Sequence, residues 1–258
     1  MKGLIIAAGR GSRLGSVTDD TPKPLVNVTG KSFFENTVDH FRACGVTDIA
    51  AVVGYQREQF YQYSDLTFFE NKTWRSNNIL HSMFCARDFL DQEVMVAYGD
   101  IWFEERAIKK MSMAGEDISI AVDEEWTEYY EGRTDHPIAE AEVVYFDGER
   151  QACRTGKNIG EPEQHHQGGE FMGLLKFSAT IIEQIVEEFE RLKESVGLDE
   201  RFQNAERFEN AYLTDFIQHL ILKSYSVNCC INTQGWAEVD TLQDLTRLEQ
   251  RLSAKGEA

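Results

Sequence analysis

Hydrophobic runs alternate with amphipathic stretches through the first half of the chain. Short apolar runs are typical of strands buried on both faces, and apolar residues three or four positions apart are typical of helices packed on a sheet. The alternation therefore predicts strand–helix–strand units and an α/β fold with a mainly parallel sheet. The predicted strands span residues 4–8, 49–53, 93–98, 118–122, 171–177 and 225–231, and the predicted helices span 33–44, 77–90, 181–193, 212–222 and 241–252.

The regular pattern is lost over residues 123–170, a long polar and aromatic segment. Within it, residues 141–146 alternate and are followed by the turn signal Asp147-Gly148, so we expect a small hairpin there. A loose segment of this length is usually functional, and we interpret it as a lid. The tail, residues 253–258, is expected to be frayed.

Charge excludes one broad class of function. The chain has 258 residues, of which 44 are acidic and 26 basic, and its formal net charge is -18. An acidic surface repels phosphate backbones, so we expect no nucleic-acid partner. The length is sufficient for a sizeable core, and we expect one domain over residues 1–258, with a first half at 1–122 and a second half at 123–258.

The sequence also indicates a cellular compartment. No stretch approaches the roughly 20 apolar residues of a membrane helix. The N-terminal residues lack the pattern of a cleaved secretory signal. The five cysteines are odd in number and form no CxxC pair, which is typical of reduced thiols. We therefore expect a cytoplasmic protein that has no membrane partner, and a homodimer is left open.

The first predicted strand, residues 4–8, runs directly into the glycine-rich turn Gly9-Arg10-Gly11-Ser12-Arg13. Glycines allow backbone N–H groups to approach phosphate oxygens closely. Two common phosphate motifs do not fit, because Leu14 stands where a dinucleotide fingerprint has its third glycine, and Leu25 stands where a P-loop ending in Gly30-Lys31-Ser32 would need its first.

Basic charge is concentrated around this turn. Residues 1–25 contain four basic and two acidic residues, a net charge of +2, whereas the remaining residues contain 22 basic and 42 acidic ones. Two prolines flank Lys23 and fix its backbone. The pattern favours a polyphosphate site, and the alternative is an ordinary turn with solvated arginines.

The run LIIAAGRGSRLGSVTDDTPKPLV resembles the signature of the nucleotidyltransferases that join an NTP to a sugar phosphate or alcohol phosphate and release pyrophosphate. The resemblance implies a Rossmann-like three-layer fold with a mixed, mainly parallel sheet and an inserted acceptor-binding hairpin or lid. It makes residues 1–122 the nucleotide-binding half and implies that Arg13 and Lys23 neutralise the triphosphate and the attacking phosphate. The implied nucleotide contacts in the loop are Ala7, Ala8, Gly9, Arg10, Gly11 and Ser12.

Two aspartates are candidate metal ligands. Asp100 follows a predicted central strand at its carboxyl end, and Asp240 lies in the late segment GWAEVDT. Mg²⁺ prefers oxygen ligands and is commonly held by one or two carboxylates together with substrate phosphates. Each aspartate also has a structural alternative: Asp100 fits a turn, and either Asp240 or Thr241 fits the N-cap of the last helix. The family pattern has a metal-binding aspartate at both places, and this implies Mg²⁺ as the cofactor.

The segments GWAEVDTLQDLTRLE and SNNILHSM resemble one branch of that family, the bacterial choline-phosphate and phosphonate (2-aminoethylphosphonate) cytidylyltransferases. This resemblance implies that CTP is the nucleotide. It also implies that Gly54, Tyr55, Asn78 and Ser82 lie near the base and ribose.

Aromatic and acidic residues in and around the lid suggest an acceptor with an ammonium group, because aromatic faces and carboxylates together hold such groups. The alternative is that the aromatic residues only fix the lid to the core. Arg133 and Lys157 could contact the acceptor's phosphate or phosphonate. The other candidate acceptor residues are Trp126, Tyr129, Tyr130, Glu170, Asp215 and Trp236.

The sequence thus predicts an enzyme that transfers CMP from CTP to a small ammonium-bearing phosphate or phosphonate, such as phosphocholine or 2-aminoethylphosphonate, with Mg²⁺ and with release of pyrophosphate. One alternative is a sugar-1-phosphate nucleotidyltransferase that uses UTP or dTTP. The other is a nucleotide-binding module without catalytic activity.

Overall fold

The computed structural model describes residues 1–255. Its strands are β1 (Lys2–Ala7), β2 (Asn27–Val28), β3 (Lys31–Ser32), β4 (Ile49–Val53), β5 (Thr67–Glu70), β6 (Val94–Tyr98), β7 (Ile101–Phe103), β8 (Ile118–Asp123), β9 (Val143–Phe146), β10 (Ala152–Gly156), β11 (Gln167–Phe177), β12 (Asn228–Asn232) and β13 (Trp236–Glu238). Its helices are α1 (Phe33–Ala43), α2 (Ile79–Phe84), α3 (Glu105–Ser112), α4 (Thr127–Tyr130), α5 (Ile182–Ser195), α6 (Leu213–Leu222) and α7 (Leu242–Lys255).

A mixed sheet of nine strands forms the centre of the fold. Its main path is β10-β9-β11-β6-β1-β4-β5, and β8 pairs with β11 and β12. The strands β6, β1, β4 and β5 are parallel to their neighbours in this order, and β11 runs antiparallel to β6, β8 and β9. The predicted α/β class with a mixed sheet is confirmed, and the long strand β11 joins the parallel block to the lid hairpin.

A second, smaller hydrophobic cluster lies beside the main core. It joins the loop after β1 to α1, β7 and α7 through Leu14, Phe33, Trp102, Val239 and Leu248, all of which are buried. The cluster brings residues from the beginning, the middle and the end of the chain together. It therefore fixes the start of α7 next to the glycine-rich loop.

Most predicted elements are present, with some changes of extent. The predicted helix over 77–90 is wrong in its length, because Asn78 has an extended backbone and caps α2 at Ile79, and a separate 3-10 turn covers Arg87–Phe89. The predicted hairpin is present as β9 and β10. Helix α7 continues through residues 253–255 of the tail that was expected to fray, and residues 256–258 lie outside the described residues. No helix in residues 1–255 is long and apolar enough to cross a membrane.

Candidate active site

The glycine-rich loop after β1 closes tightly on Lys23. Gly11 has a φ of 74°, a left-handed conformation that favours glycine, and a Cβ atom at this position would lie 2.5 Å from Cβ of Lys23. The hydroxyl of Thr18 donates a hydrogen bond to the carbonyl of Gly11 at 2.9 Å, which holds the loop in this shape. Glycine at position 11 therefore allows the backbone of the loop to pack against the lysine.

Lys23 lies between the two predicted metal ligands. Its ammonium is 2.8 Å from Oδ2 of Asp100 and 2.6 Å from Oδ1 of Asp240, and the residue is 3% exposed. Burial alone would lower the pKa of Lys23, but the charges of Asp100 and Asp240 raise it above its ordinary value. Lys23 is therefore a buried, permanently charged group at neutral pH.

A short strand pairing brings the two aspartates together. Asp100 directly precedes β7, which pairs antiparallel with β13, and Asp240 follows β13 by two residues. Helix α7 is capped by Thr241, whose hydroxyl accepts the N–H of Asp244 at 3.2 Å, while the Asp244 carboxylate accepts the N–H of Thr241 at 2.9 Å. Thr241, not Asp240, therefore fills the capping role, and the Asp240 side chain contacts Lys23.

The other oxygen of Asp240 meets further polar groups. Arg13 donates to Oδ2 of Asp240 at 2.7 Å, and Nδ1 of His136 lies 3.2 Å from the same oxygen. Burial alone would raise the pKa of Asp240, but the charge of Lys23, contact with His136 and the charge of Arg13 hold it well below its ordinary value. Asp240 is therefore ionised at neutral pH.

His136 and Glu238 are two residues that the sequence prediction missed. His136 is 2% exposed, and among residues 1–255 neither ring nitrogen has a partner in hydrogen-bonding geometry. One atom each of His136, Glu238 and Asp240 lies within 4.8 Å of the others. The sequence could have indicated Glu238, because it lies two residues before Asp240 in an extended segment, and alternate residues of such a segment point to the same face. Nothing in the sequence around His136 indicated its place.

The donor set at Lys23 fits a hard divalent cation. Asp100 and Asp240 converge on one ammonium group, so their oxygens lie close enough together to hold a small cation with substrate phosphates. Asp100 is half exposed, which leaves it accessible from the nucleotide side. These two carboxylates would hold the metal that the family resemblance implies.

A cavity of about 140 Å³ beside Lys23 contains much of the predicted nucleotide set. Gly54 and Tyr55 lie next to it, because the N–H of Tyr55 donates to the carbonyl of Ala8 at 3.0 Å. Arg10 is bonded instead to Asp19 at 2.7 Å, at the surface. Ala7 is buried at the end of β1, and Ser12 opens the 3-10 helix that follows the loop. The predicted nucleotide residues that line the cavity are Ala8, Gly9, Gly11, Asn78 and Ser82.

The structure separates the predicted acceptor residues into three groups. One group lines a cavity of about 390 Å³ between α4, β13 and α7, and it consists of Tyr129, Arg133, Glu170 and Trp236. Lys157 and Asp215 line a different cavity of about 280 Å³. The remaining two residues pack against each other, with the rings of Trp126 and Tyr130 5.8 Å apart, and the Tyr130 hydroxyl donates to Glu170 at 2.7 Å.

Two of the aromatic rings near the lid already face a cation of the chain itself. Arg251 lies 5.6 Å from the ring centre of Tyr129, and Arg133 lies 4.9 Å from that of Tyr130. Arg133 also donates to Asp244 at 2.6 Å and is 5% exposed at its side chain, so it ties the lid to α7. These contacts fit the alternative in which the aromatic residues fix the lid to the core.

Shared residues connect the nucleotide cavity to the cavity at Lys157. An intermediate cavity of about 400 Å³ shares Asn77 and Asn78 with the former. It shares Asn204, Ala205 and Tyr212 with the latter. The three cavities are therefore adjacent to one another. We call this series the acceptor groove, because it contains the predicted acceptor residues Lys157 and Asp215, and it extends from Lys23 and Asp100 to Lys157.

This combination of an α/β fold, a glycine-rich loop and a lysine between two aspartates defines the class of the protein. Residues 3–167, more than half of the chain, match the model of the MobA-like NTP transferase domain. The chain therefore belongs to this family of nucleotidyltransferases, as the resemblance at the glycine-rich loop implied.

Individual relatives narrow the comparison. The chain is 28% identical over 255 residues to the CTP:phosphoglutamine cytidylyltransferase of Campylobacter jejuni, and the match covers 95% of this chain and 98% of the relative. It is 37% identical over 93 residues to the 2-aminoethylphosphonate cytidylyltransferase of Lancefieldella rimae, covering 34% of this chain and 38% of that protein. The solved CTP:phosphocholine cytidylyltransferase of Streptococcus pneumoniae has the same fold, with a TM-score of 0.72, 20% identity and coverage of 97% and 98%.

Proposed function

We propose that this protein is a magnesium-dependent cytidylyltransferase. In this proposal it transfers CMP from CTP to a small ammonium-bearing phosphate or phosphonate and releases pyrophosphate. The contact of buried Lys23 with both Asp100 and Asp240, beside the glycine-rich loop, is the observation that carries the proposal. The nucleotide is proposed from the relatives, because all three named above are cytidylyltransferases.

The chemistry requires two anions to meet. An oxygen of the acceptor's phosphate or phosphonate attacks the α-phosphorus of CTP, a new P–O bond forms, and the bond to the bridging oxygen of the β-phosphate breaks. Fixed cations lower the repulsion between the two anions, and we assign this role to Lys23 and Arg13. Magnesium, when bound, stabilises the charge that develops on the transferring phosphate. Asp100 and Asp240 would hold it.

The acceptor groove offers a path for the second substrate. It begins at the nucleotide cavity and extends past Asn78 and Tyr212 to Lys157. An acceptor bound there would direct its phosphate or phosphonate toward Lys23, where the nucleotide phosphates are expected. The free thiols of all five cysteines support a reducing compartment, and the cytoplasm is the location that we propose.

A substrate panel tests this function. The protein with Mg²⁺ is incubated with each of the four common NTPs and with phosphocholine, 2-aminoethylphosphonate or glucose 1-phosphate, and pyrophosphate release is measured. We expect release with CTP and an ammonium-bearing acceptor. Turnover of UTP or dTTP with glucose 1-phosphate would instead identify a sugar-1-phosphate enzyme. CTP binding without release for any acceptor would support a non-catalytic module.

A variant pair tests the metal ligands. Asp100→Asn should lower turnover about 100-fold or more, because the variant weakens one metal ligand with little change of volume. Asp39→Asn is the matched control, since Asp39 is an exposed aspartate that pairs with Lys31 at 2.8 Å away from the site. Equal activity of both variants would contradict the assignment of Asp100.

A further inference from the structure

Lys157 is a cation at the far end of the acceptor groove that the proposed reaction does not use. Its ammonium lies 4.2 Å from the centre of the Tyr212 ring, and the residue is half buried. Within the described residues, no carboxylate oxygen lies within 4.0 Å of this ammonium. Lys157 is therefore held in place by a ring, and its N–H donors are available to an incoming anion.

Two acidic groups lie near Lys157. Asp215 lines the same cavity, and Glu142 is hydrogen-bonded to Thr214, which also lines it. Glu142 lies close enough to raise the pKa of Lys157, against the lowering effect of burial, and the Thr214 hydroxyl holds Glu142 with a hydrogen bond of 2.5 Å. Asp215 is already used, because its two oxygens accept the backbone N–H groups of Asn204 at 3.0 Å and Tyr212 at 2.8 Å. Among residues 1–255, Glu142 uses one carboxylate oxygen in its hydrogen bond to Thr214, and the residue is not fully buried. Its other oxygen is therefore the acidic group that a ligand near Lys157 could contact.

The position of Lys157 argues against a ligand with only a cationic end. A trimethylammonium group would need the open face of an aromatic ring, and the face of Tyr212 is taken by Lys157. A second cation at that place would be repelled by the first. In the proposed reaction, the acceptor's phosphate meets the nucleotide phosphates at the Lys23 end of the groove. We therefore assign a different group of the acceptor to Lys157.

We propose that Lys157 binds a carboxylate of the acceptor and that Glu142 binds its ammonium, so that the substrate is a phosphorylated or phosphonate amino acid. This inference rests on the proposed function. It assigns Lys157 a role in choosing among acceptors: the phosphate group is common to all of them, and the carboxylate distinguishes amino acids from simple amines.

Matched acceptors test the proposal directly. Phosphoserine and phosphoethanolamine differ only by a carboxylate, and so do 2-amino-4-phosphonobutanoate and 3-aminopropylphosphonate. Binding is measured by calorimetry and turnover by pyrophosphate release with CTP and Mg²⁺. In at least one pair, we expect the amino acid to have the higher kcat/KM and the tighter binding, on the order of 10-fold to 100-fold, as for a hydrogen bond to a charged group. Equal binding and turnover within both pairs would overturn the proposal.

Variants of Lys157 separate recognition from folding. Lys157→Met keeps the length of the side chain and removes the charge. The ratio of kcat/KM for the amino acid to kcat/KM for the simple amine should therefore fall to about one, while the reaction of the simple amine continues. Lys157→Arg should keep the preference. Lys193→Met is the matched control, because Lys193 also lies over an aromatic ring, 5.7 Å from the centre of Phe189, on α5. If Lys157→Met lowered kcat/KM equally for both members of a pair, Lys157 would only balance the charge of Glu142. That result would also overturn the proposal.

The two readouts keep this inference distinct from the proposed function. Binding that depends on the carboxylate and on Lys157, without pyrophosphate release, would refute the cytidylyltransferase and retain the amino-acid site. Pyrophosphate release from CTP without any effect of the carboxylate would support the cytidylyltransferase and refute the amino-acid site. No binding and no release with any acceptor would refute both.

Discussion

At the scale of single residues, charge balance around Lys23 is the main feature of the site. One buried ammonium contacts two carboxylates, and Asp240 has further contacts with Arg13 and His136. Removing one partner of a buried ion pair leaves the other partner uncompensated, and this is usually costly. The residues that would meet the substrates therefore also contribute to stability.

Lys23→Met should affect both properties. We expect the free energy of unfolding at pH 7 to fall by about 3 kcal/mol, since two buried or half-buried carboxylates lose their common cation, and turnover to fall about 100-fold. Urea unfolding and pyrophosphate release measure the two effects. Lys31→Met is the control, because Lys31 is an exposed lysine in a surface ion pair and should change stability by less than about 1 kcal/mol.

The difference in the free energy of unfolding between the wild type and Lys23→Met should depend on pH, and the pKa of Asp240 gives the sign. The pKa of Asp240 is lowered in the folded state from its ordinary value of 3.8, so its stabilisation is present above about pH 4 and is lost as the pH falls further. The gap between the wild type and Lys23→Met should therefore narrow in acid. An unchanged gap at pH 3 would contradict the assigned ion pair.

Glu142 is predicted to titrate near neutral pH. Burial raises its pKa from 4.5 to about 7, with smaller opposing effects of Lys157 and the Thr214 hydroxyl. Because the folded pKa is above the unfolded one, the contribution of Glu142 to stability is complete below about pH 4.5 and is lost as the pH rises through 7. If Glu142 binds an ammonium, the KM for the acceptor should fall as the pH rises through 7.

The variant Glu142→Gln tests both effects. It should remove the inflection near pH 7 from a plot of acceptor KM against pH, and it should raise the melting temperature at pH 8 relative to the wild type. Glu149→Gln, at an exposed position in the turn between β9 and β10, is the control. An inflection that persists in Glu142→Gln would assign the titration to another group.

At the scale of elements, a few short segments align the site. Strands β7 and β13 have three residues each, yet their pairing is what brings Asp100 and Asp240 together. The 3-10 turn Lys23–Leu25, with prolines before and within it, fixes the lysine under the glycine-rich loop. The turn at Lys23 packs closely against the backbone of the glycine-rich loop, and Gly11 permits this contact.

Gly11→Ala should impair nucleotide binding through such a contact. The added methyl group would lie 2.5 Å from Cβ of Lys23 in a residue with a φ of 74°, so either the loop or the lysine must move. Gly15→Ala is the matched control, because Gly15 also has a positive φ, of 58°, but has open space around its Cβ position. Both variants should lose about 1 kcal/mol of stability from the backbone conformation. Only Gly11→Ala should raise the Kd for CTP, by about 10-fold or more; equal Kd values would contradict this account.

At the scale of the whole molecule, the site depends on both halves of the chain. Lys23 and Asp100 lie in the first half, and Asp240 lies near the end. The small hydrophobic cluster around Leu14, Trp102 and Val239 holds these parts together. The net charge of -18 surrounds a local group of cations, so an anionic substrate is attracted only at short range.

Ligand binding should therefore stabilise the whole fold. CTP at 100 times its Kd should add about 2.7 kcal/mol to the free energy of unfolding, and Mg²⁺ should increase the shift in melting temperature beyond that with CTP alone. In Asp240→Asn, the increment from Mg²⁺ should disappear. Differential scanning fluorimetry measures these shifts, with Asp39→Asn as the control. A full Mg²⁺ increment in Asp240→Asn would contradict metal binding by Asp240.

The candidate site could be predicted from sequence where its chemistry is local. Gly9, Gly11 and Lys23 lie within one short segment, and their spacing carries a recognisable signature. Glu142 and His136 could not be found this way, because each has a partner far away in the chain. Glu142 accepts a hydrogen bond from Thr214, which is 72 residues away, and His136 lies next to Asp240, near the end of the chain.

The contacts of the predicted acceptor residues could not be predicted from the sequence either. Aromatic and acidic side chains in the lid were a reasonable basis for an ammonium site, but sequence gives no means to see that Arg133 and Arg251 face the rings of Tyr130 and Tyr129. Cation and ring come from separate elements that only packing brings together. Tyr212, which was not among the predicted acceptor residues, lines the acceptor groove with Lys157.

The sequence by itself determined the α/β class, the glycine-rich loop and the family, because hydrophobic periodicity and a contiguous motif are properties of neighbouring residues. Only the tertiary structure decided which distant side chains meet: Asp240 with Asp100 and Lys23, and Lys157 with Tyr212 and Glu142. The physical reason is that these contacts are set by strand pairing and by burial in a common core, and these join segments that are far apart in the chain.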